Sequence, residues 1–367
     1  MANSYKFQGW LGLGPNTEEG NFQWDEFSPK TWEDDDVDIE ISHCGICATD
    51  VDYLQNGSGI TLYPCIVGHE IVGKAVRVGA DVKHIEVGDR VGVGAQAHSC
   101  LRPECEACAT GQENYCARGF VTTYSAKYPN DKGIAYGGYA THNRSKGHFV
   151  FPIPDALDSA DVAPMLCAGI TVYTPLKRNG CGPGKTVAVT TKNSLEIFKD
   201  AIADSAYRGA KALGADKVVA LSRKAEKRND CLEMGADVYI ATDDDDGWAA
   251  KHAQTLDLIV SAVSSEHMPL TQYLGLLKIH GSHIQVGTGY NGKLPTIDAF
   301  SLLMSGVHIG GSVIGSPTEI REMLQLAVDK NIKPWVQSRP MADANNAVKD
   351  MAAGKARYRY VLENAGL

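Results

Sequence analysis

Short apolar runs separated by Gly, Asp and Pro fill the first part of the chain, from Val37 to about Val150. They include VDIEIS, IVGHEIVGKAVRVG and DRVGVGA, which are rich in the β-branched residues that favour strands. Gly, Asp and Pro between such runs are typical of turns and loops. The pattern predicts an all-β module with long loops, built like a barrel.

The pattern changes after a joining segment that contains Pro152, Pro154 and Pro164. Apolar strands then alternate with helical stretches, and the strands are KTVAV, KVVALS, DVYIAT, LDLIVSAV and GSHIQVG. This alternation is typical of a parallel, doubly wound sheet. After about Gly315 the chain offers a helix, PTEIREMLQLAVDKN, and a closing strand, RYRYVLE, which we expect to rejoin the first domain. The predicted class is therefore α/β, with domains at 1–160 plus 316–367 and at 161–315.

Length and charge fit a protein that acts on small molecules. The 367 residues are 44% hydrophobic, enough for two domains that each have a core. The net charge is -9, and the basic residues are scattered except around Arg223 to Arg228, which argues against a nucleic-acid surface. The start, MANSYKFQGW, does not resemble a signal peptide, and no stretch approaches the roughly 18 apolar residues of a membrane span. We expect a cytoplasmic protein without membrane contact.

Four of the ten cysteines lie close together in one loop, CLRPECEACATGQENYC. These are Cys100, Cys105, Cys108 and Cys116. Four thiolates can converge tetrahedrally on one zinc ion, and a closed four-cysteine site is structural. The alternative, free or disulfide-bonded cysteines, is disfavoured in a long chain without a signal peptide. The spacing predicts a structural zinc site.

A second ligand set is spread along the chain: Cys47 in SHCGICATD, His69 and Glu70 in YPCIVGHE, and Cys167 in APMLCAGITVY. Two thiolates and one imidazole would leave a fourth position on zinc open for water or a substrate oxygen. Taken singly, each residue has a simpler explanation. His69 could be an ordinary loop histidine, and Cys167 a small buried apolar residue.

Several phrases together make the chain similar to a known family. The phrases CGICATD, GHEIVGKAVRVG, VGDRVGVG, GGYA, PMLCAGITVY and GCGPGKTV and the four-cysteine loop resemble zinc-containing medium-chain dehydrogenases, and the cinnamyl alcohol dehydrogenase branch most closely. The resemblance covers nearly the whole chain. It implies a GroES-like β-barrel catalytic domain that carries both zinc sites, two zinc ions per chain, and a Rossmann-type cofactor domain.

The resemblance also implies roles for individual residues. The family's catalytic zinc ligands correspond to Cys47, His69 and Cys167. Glu70 corresponds to a nearby carboxylate that exchanges with the water ligand. Asp50 corresponds to an acid that orients the ligating histidine, and Thr49 to a hydroxyl that binds the alcohol and passes its proton outward. Zinc would polarise a carbonyl or acidify an alcohol, and a nicotinamide would exchange the hydride.

The chain departs from the family directly after KTVAV, where a glycine fingerprint normally follows the first strand of the sheet. Here TTKNSLEIFKDAIADSAYRGAKALGADKV follows, without G-x-G-x-x-G, and the departure covers about 190–209. Asn193 and Glu196 resemble a capping box, and Leu195, Phe198, Ile202 and Leu213 fall largely on one helical face. We expect a helix here but weaker cofactor binding, because Glu196 would repel phosphate at the helix start and the glycines are missing. Lys192 could contact a phosphate or simply be solvated.

The rest of the cofactor site matches an NADP-preferring pattern. At the end of the second strand the chain reads ALSRKAEKR, where an NAD enzyme carries an acidic residue. Ser222, Arg223 and Lys227 are placed to bind a 2′-phosphate, although a basic, solvated helix turn is the alternative. Gly287 in VGTGY and Ser312 in GGSVIGS belong to phrases that resemble the loops holding the nicotinamide.

Two functional interpretations follow. The first is an NADP(H)-dependent alcohol dehydrogenase that acts mainly as an aldehyde reductase on cinnamyl-type, aromatic or aliphatic substrates, with Phe120 and Trp335 as candidate contacts. The second is a family member that keeps the fold and the zinc but has lost cofactor binding and catalysis. Whether the altered segment at 190–209 still binds a cofactor decides between these two interpretations. Family relatives are commonly dimers, so we expect a homodimer.

Overall fold

The computed structural model describes residues 5–191, 200–288, 292–357 and 359–364. They divide into two compact units, 1–167 with 315–367, and 168–314. From the sequence, these limits are expected at 160 and 315. Cys167 thus belongs to the same unit as Cys47 and His69. Among the described residues, no helix is long and apolar enough to cross a membrane.

The first unit is built on a mostly antiparallel sheet. Its strands are β1 Gln8–Leu11, β2 Gln23–Glu26, β3 Asp36–Gly45, β4 Ile71–Val78, β5 Arg90–Val93, β6 Gln96–His98, β7 Val121–Thr122, β8 His142–Lys146, β9 Val150–Pro152, β16 Val336–Pro340 and β17 Arg359–Glu363. Its helices are α1 Ala48–Gln55, α2 Glu106–Ala109, α3 Ser159–Pro164, α10 Pro317–Lys330 and α11 Ala344–Ala352.

The main sheet of this unit has the order β16-β17-β3-β4-β5-β9, and β8 also pairs with β3. In the long central strand β3, every second residue from Val37 to Ile41 is apolar and fully buried: Val37, Ile39 and Ile41. These three side chains share one face of the sheet. β17 comes from the end of the chain and runs antiparallel to β3, with Val361 opposite Gly45. The sheet therefore combines the first β-rich part of the sequence with its last strand.

The second unit is a parallel sheet with helices. Its strands are β10 Thr186–Thr190, β11 Lys217–Ser222, β12 Val238–Ala241, β13 Leu256–Ser261, β14 Leu277–Gln285 and β15 His308–Gly311. Its helices are α4 Ile170–Arg178, α5 Asp200–Ala212, α6 Arg228–Glu233, α7 Trp248–Lys251, α8 Leu270–Leu276 and α9 Ala299–Leu303. The strand order β12-β11-β10-β13-β14-β15 is the Rossmann order, and the predicted α/β class is confirmed.

Two local features differ from the sequence predictions. The edge strand β15 was not predicted, because its sequence HIGG has no apolar alternation, and it forms by pairing with β14. In α5 the buried face consists of Ala203, Ala206, Tyr207 and Ala210, whereas Ile202 and Leu213 are only partly buried. Small alanines let the helix approach the neighbouring β10 and α4 closely. The predicted capping box and the residues Lys192, Leu195 and Phe198 lie outside the described residues.

His283 is a fully buried histidine in β14, and neither ring nitrogen has a hydrogen-bond partner. It lies in register with Ile259 of β13 and Ile309 of β15, so apolar positions flank it on both sides. Burial lowers the pKa of His283 to about 4, because an imidazolium would be placed there without a partner.

This pKa predicts a specific loss of stability in acid. The pKa in the folded chain lies below the ordinary value of 6.5, so the unfolded chain binds the proton first as the pH falls. Between pH 7 and pH 5, wild type should lose roughly 2 kcal/mol of unfolding free energy relative to His283→Leu. Denaturant titrations at both pH values measure this difference. The exposed His280→Asn serves as control, and a constant gap between wild type and His283→Leu would contradict the prediction.

Candidate metal centres and cofactor edge

The four loop cysteines form one cluster. The sulfur atoms of Cys100, Cys105, Cys108 and Cys116 all lie within 4.8 Å of one another. The loop leaves β6, forms the single turn α2 directly after Cys105, and returns into β7. The pKa of Cys116 is lowered to about 6. Burial raises this pKa, but the backbone N–H groups of Cys100 and Arg118, which donate to the sulfur, lower it by more. Four sulfurs at this spacing fit a tetrahedral zinc site.

A second cluster gathers ligand atoms from three separate places in the sequence. One ligand atom each of Cys47, His69, Glu70 and Cys167 lies within 4.8 Å of the others. Cys47 is the N-cap of α1, His69 and Glu70 directly precede β4, and Cys167 lies in a π-helical turn at 165–169. Strand pairing and helix starts, rather than one local motif, bring these atoms together.

The donor atoms of the second cluster fit a metal ion. The Sγ atoms of Cys47 and Cys167 are 3.8 Å apart, and the buried Nε2 of His69 has no hydrogen-bond partner. The contact with Cys167 and the nearby His69 lower the pKa of Cys47. A buried imidazole nitrogen without a partner beside two sulfurs is costly unless a cation binds it. Two thiolates and one imidazole are zinc ligands that leave a fourth position open.

Asp50 supports the backbone around this cluster. Its fully buried carboxylate accepts hydrogen bonds from the N–H groups of Cys47 (2.8 Å) and Gly68 (3.1 Å) and from the Tyr139 hydroxyl (3.1 Å). Its Oδ1 is 4.0 Å from Nδ1 of His69, too far for a hydrogen bond. The carboxylate therefore holds the residues next to both ligands, and a direct role in orienting the imidazole stays a prediction.

Thr49 is exposed to solvent at this cluster, whereas Glu70 is fully buried. The Oγ1 of Thr49 is 3.7 Å from Cys47 Sγ, so its hydroxyl can reach both the cluster and solvent. Burial raises the pKa of Glu70 to about 8, against the opposing effect of the Arg359 charge. Gly45 makes room for this carboxylate, since a Cβ there would lie 1.9 Å from Glu70 Oε2.

Arg359 is a site residue that the sequence analysis missed. It lies at the start of β17 with 1% of its surface exposed. Its Nη1 donates to the carbonyl of Ile46 at 2.7 Å, and its Nη2 is 3.3 Å from Glu70 Oε1. A buried guanidinium favours the ionised forms of the carboxyl and thiol groups beside it. The available signal was Arg359 directly before the apolar residues YVL of the closing strand RYRYVLE.

The candidate cofactor residues lie at the carboxyl edge of the parallel sheet. The strand order reverses between β10 and β13, which marks the position where such sheets bind ligands. At that point the Thr190 and Ser261 hydroxyls are 3.1 Å apart. The buried hydroxyls of Thr191 and Ser222 have no hydrogen-bond partner. Unsatisfied hydroxyls at this edge fit a polar ligand such as a nucleotide.

The basic residues predicted to hold a 2′-phosphate directly follow β11. Ser222 is its last residue, Arg223 is exposed, and Lys227 is partly exposed in a 3-10 turn at 225–227. The acidic run at 243–246 lies next to this segment: Asp244 accepts a hydrogen bond from the N–H of Ala225 at 2.9 Å. The run is therefore part of the structure around the basic turn, because its carboxylates cap backbone N–H groups.

Gly287 and Ser312 also lie at this edge, after β14 and β15. A Cβ on Gly287 would lie 2.0 Å from the carbonyl oxygen of Ala262, so packing within the sheet alone requires glycine there. The N–H of Ser312 donates to Gln285 O at 3.0 Å, and its hydroxyl has no hydrogen-bond partner. Contacts of either residue with a cofactor stay a prediction.

Known proteins match almost the whole of this chain. Residues 33–155 match the alcohol dehydrogenase GroES-like domain, and residues 201–329 match the zinc-binding dehydrogenase domain. NADP-dependent alcohol dehydrogenase 6 of Saccharomyces cerevisiae is 38% identical over 99% of this chain and 98% of its own length. The chain belongs to the zinc-containing medium-chain alcohol dehydrogenases. The first part of the atypical segment at 190–209 lies outside both domain matches, and residues 201–209 lie inside the second.

Other relatives place this alcohol dehydrogenase in the cinnamyl alcohol dehydrogenase branch. A mannitol dehydrogenase of Petroselinum crispum is 37% identical over 93% of this chain and 97% of its own. A cinnamyl alcohol dehydrogenase from Sorghum bicolor has a TM-score of 0.88 at 31% identity, covering 99% of this chain and 98% of its own. A CAD from Helicobacter pylori, complexed with NADP(H), has a TM-score of 0.84 at 30% identity, covering 98% of both chains.

The candidate substrate contacts of the dehydrogenase are less defined. Phe120 is 38% exposed and directly precedes β7. Trp335 is partly buried and directly precedes β16. Both lie in the unit that carries the metal clusters. Their contact with substrate stays a prediction.

Metal analysis tests the two clusters independently. Wild type should contain two zinc ions per chain, and Cys105→Ser should contain one, because three ligands of a loop site hold zinc poorly. Cys167→Ser should lose the other ion. Cys181→Ser, which removes a thiol outside both clusters, should keep two. Atomic absorption on dialysed protein gives the counts, and a single ion in wild type would show that one ligand set has been misassigned.

Proposed function

We propose that this alcohol dehydrogenase is an NADP(H)-dependent aldehyde reductase that uses one catalytic and one structural zinc ion per chain. Its substrates would be cinnamyl-type, aromatic or aliphatic aldehydes and the corresponding alcohols. The observation that carries the proposal is the cluster of Cys47, His69 and Cys167, which offers three ligands and an open fourth position beside the exposed hydroxyl of Thr49. The name of the yeast relative and the NADP(H) complex of the bacterial neighbour support the choice of cofactor.

The chemistry divides between the bound groups and the protein. When bound, zinc supplies a Lewis acid that polarises the substrate oxygen, and the nicotinamide supplies or accepts the hydride. Thr49 is placed to hold the proton of the substrate oxygen, since its hydroxyl lies beside the cluster and reaches solvent. Asp50 keeps the Cys47 and Gly68 backbone in place.

Glu70 and Arg359 control the charge behind the cluster. The Arg359 charge favours the ionised forms of Glu70 and of the two cysteines, which lowers the cost of burying them together as metal ligands. Glu70 lies within ligand distance of the other donors, as a carboxylate that exchanges with a water ligand must. These two residues would therefore tune how strongly the fourth position binds oxygen.

Cofactor preference would be set at the end of β11. No acidic side chain occupies the last position of the strand, where Ser222 stands, and Arg223 and Lys227 follow it. A guanidinium or ammonium that contacts a 2′-phosphate forms charge-assisted hydrogen bonds, worth about 1.5–3 kcal/mol each. NADPH should therefore bind more tightly than NADH.

Titration of the zinc-loaded protein with NADPH and NADH, followed by fluorescence, tests the proposed function. Arg223→Ala should raise the Kd for NADPH about tenfold or more and change that for NADH little. Arg178→Ala, which removes an exposed arginine from α4, should change neither. Equal effects of Arg223→Ala on both cofactors would contradict the phosphate assignment. Absence of NADPH saturation at millimolar concentration would favour the non-catalytic interpretation instead.

We also propose that the dehydrogenase is a homodimer in the cytoplasm. Phe300, Leu303 and Met304 in and after α9 are 69%, 72% and 78% exposed, an apolar group that water disfavours. The edge strand β15 of the same unit has unpaired backbone groups that could pair with a second copy. All ten cysteines are free, and thiolate ligands need the reducing conditions of the cytoplasm.

The dimer proposal predicts the behaviour of a charged variant. Leu303→Glu should convert the dimer to monomer, because a carboxylate in the centre of an apolar interface would be desolvated. Val87→Glu places the same charge at a 67% exposed apolar residue in the other unit and should leave the mass unchanged. Sedimentation analysis gives the masses. A monomeric wild type would refute the proposal.

A further inference from the structure

The contacts of the His69 imidazole decide how firmly its ring is oriented as a metal ligand. A ligating histidine commonly donates its second ring N–H to a carboxylate or carbonyl, and this bond fixes the ring. Here Nε2 is the buried nitrogen without a partner, and Nδ1 is 4.0 Å from the Asp50 carboxylate. Both Asp50 oxygens already accept hydrogen bonds from Cys47, Gly68 and Tyr139. Oδ1 of Asp50 accepts only one of these bonds and can still approach Nδ1, so a contact with the ring face would add to the restraint on the imidazole.

Tyr124 supplies a contact of this kind. Its ring is stacked on the His69 imidazole with centroids 5.4 Å apart and planes only 1° from parallel. Both side chains are buried, at 2% and 5% exposure. Offset stacking of two rings contributes about 0.5–1.5 kcal/mol beyond the area that it buries. Rotation of the imidazole out of this plane would lose the stack, so the tyrosine restricts the direction in which Nε2 points.

Tyr124 is itself held firmly. The Thr122 hydroxyl donates to its carbonyl at 2.7 Å. On either side of it, the N–H of Thr123 donates to Ala95 O at 3.2 Å, and that of Ser125 donates to Ala135 O at 3.0 Å. A ring that sits on such a fixed backbone is a rigid surface for a neighbouring side chain.

A second aromatic residue connects Tyr124 to the other metal ligands. Tyr53 meets the Tyr124 ring edge-on, with centroids 5.1 Å apart and planes at 90°. Tyr53 belongs to α1, the helix that begins directly after Cys47. The aromatic group Tyr53, Tyr124 and His69 therefore links the element that carries one thiolate ligand to the imidazole ligand.

We propose that Tyr124 is a positioning residue that fixes the His69 ring and so sets the zinc affinity of the Cys47, His69 and Cys167 site. The inference rests on the proposed function, since it assumes that this cluster holds zinc. The ring, and not the hydroxyl, carries the effect, because the ring makes the stacking contact. Zinc bound by the four-cysteine loop should be unaffected, because His69 belongs to the other ligand set.

The test compares variants that keep or remove the ring. Tyr124→Leu should lose the catalytic zinc at about tenfold lower chelator concentration than wild type, the lower end of the effect of removing a ligand's supporting partner. Tyr124→Phe should behave within about twofold of wild type. Zinc per chain is measured after dialysis against increasing concentrations of a chelating dicarboxylate, dipicolinate. The loop zinc, retained in every variant, is the internal reference.

Tyr128→Leu is the matched control, since Tyr128 is another buried tyrosine of the same unit and packs on His98 instead. It should lose neither zinc early, which separates general loosening from loss of the stack. Cobalt substituted at the catalytic site gives a second readout. Its visible d–d bands should change in Tyr124→Leu and match wild type in Tyr124→Phe, because only the first variant frees the ligand geometry.

Tyr53→Leu keeps the proposal testable if Tyr124→Leu does not fold. Removal of the edge contact should lower catalytic zinc retention about threefold, in the same direction as loss of the stack. Wild-type zinc retention in Tyr124→Leu, or an equal loss in Tyr124→Phe, would overturn the inference. A wild type that holds only the loop zinc would instead refute the proposed function on which it rests.

Discussion

The first unit depends on one electrostatic constraint, the burial of two cysteine sulfurs and an imidazole nitrogen in one small volume. Cys47 and Cys167 are separated by 120 positions in sequence, yet their Sγ atoms lie 3.8 Å apart. Contact with Cys47 and burial raise the pKa of Cys167, so both sulfurs become thiolates together only beside a cation. A divalent ion would offset the repulsion between two thiolates and bind the unpartnered nitrogen of His69, so metal binding and folding of this region should be coupled.

The residues around the cluster stabilise the buried ligands with hydrogen bonds and with one positive charge. The Asp50 carboxylate accepts hydrogen bonds from the backbone N–H groups of Cys47 and Gly68, the latter next to His69. These bonds fix the backbone at both ligands without a hydrogen bond to the imidazole. Arg359 brings a permanent positive charge to Glu70 from the far end of the sequence. The pairing of β17 with β3 positions this arginine, so the closing strand contributes to the site as well as to the sheet.

The second unit presents a different kind of site. Its polar atoms lie at the carboxyl edge of a parallel sheet, where the strand order reverses and a ligand can reach the ends of several strands. Ser222 and Thr191 keep buried hydroxyls without partners there. The site is therefore built from the ends of strands. The side chains that would contact the cofactor there can vary without a change to the sheet. The segment at 190–209, which lacks the family's glycine fingerprint, begins at the end of β10 on this edge.

The sequence alone determined the α/β class, the family and the two groups of residues that cluster as candidate metal sites. Zinc binding requires particular residue types at recognisable positions, and parallel strands require apolar runs. The apolar run KVVALS also determined that Ser222 lies at the carboxyl end of a strand. Only the tertiary structure revealed Arg359, the strand β15, the buried face of α5 and the stack of Tyr124 on His69. Each of these depends on contacts between residues far apart in the chain, and local composition carries no record of which distant side chain will be the neighbour.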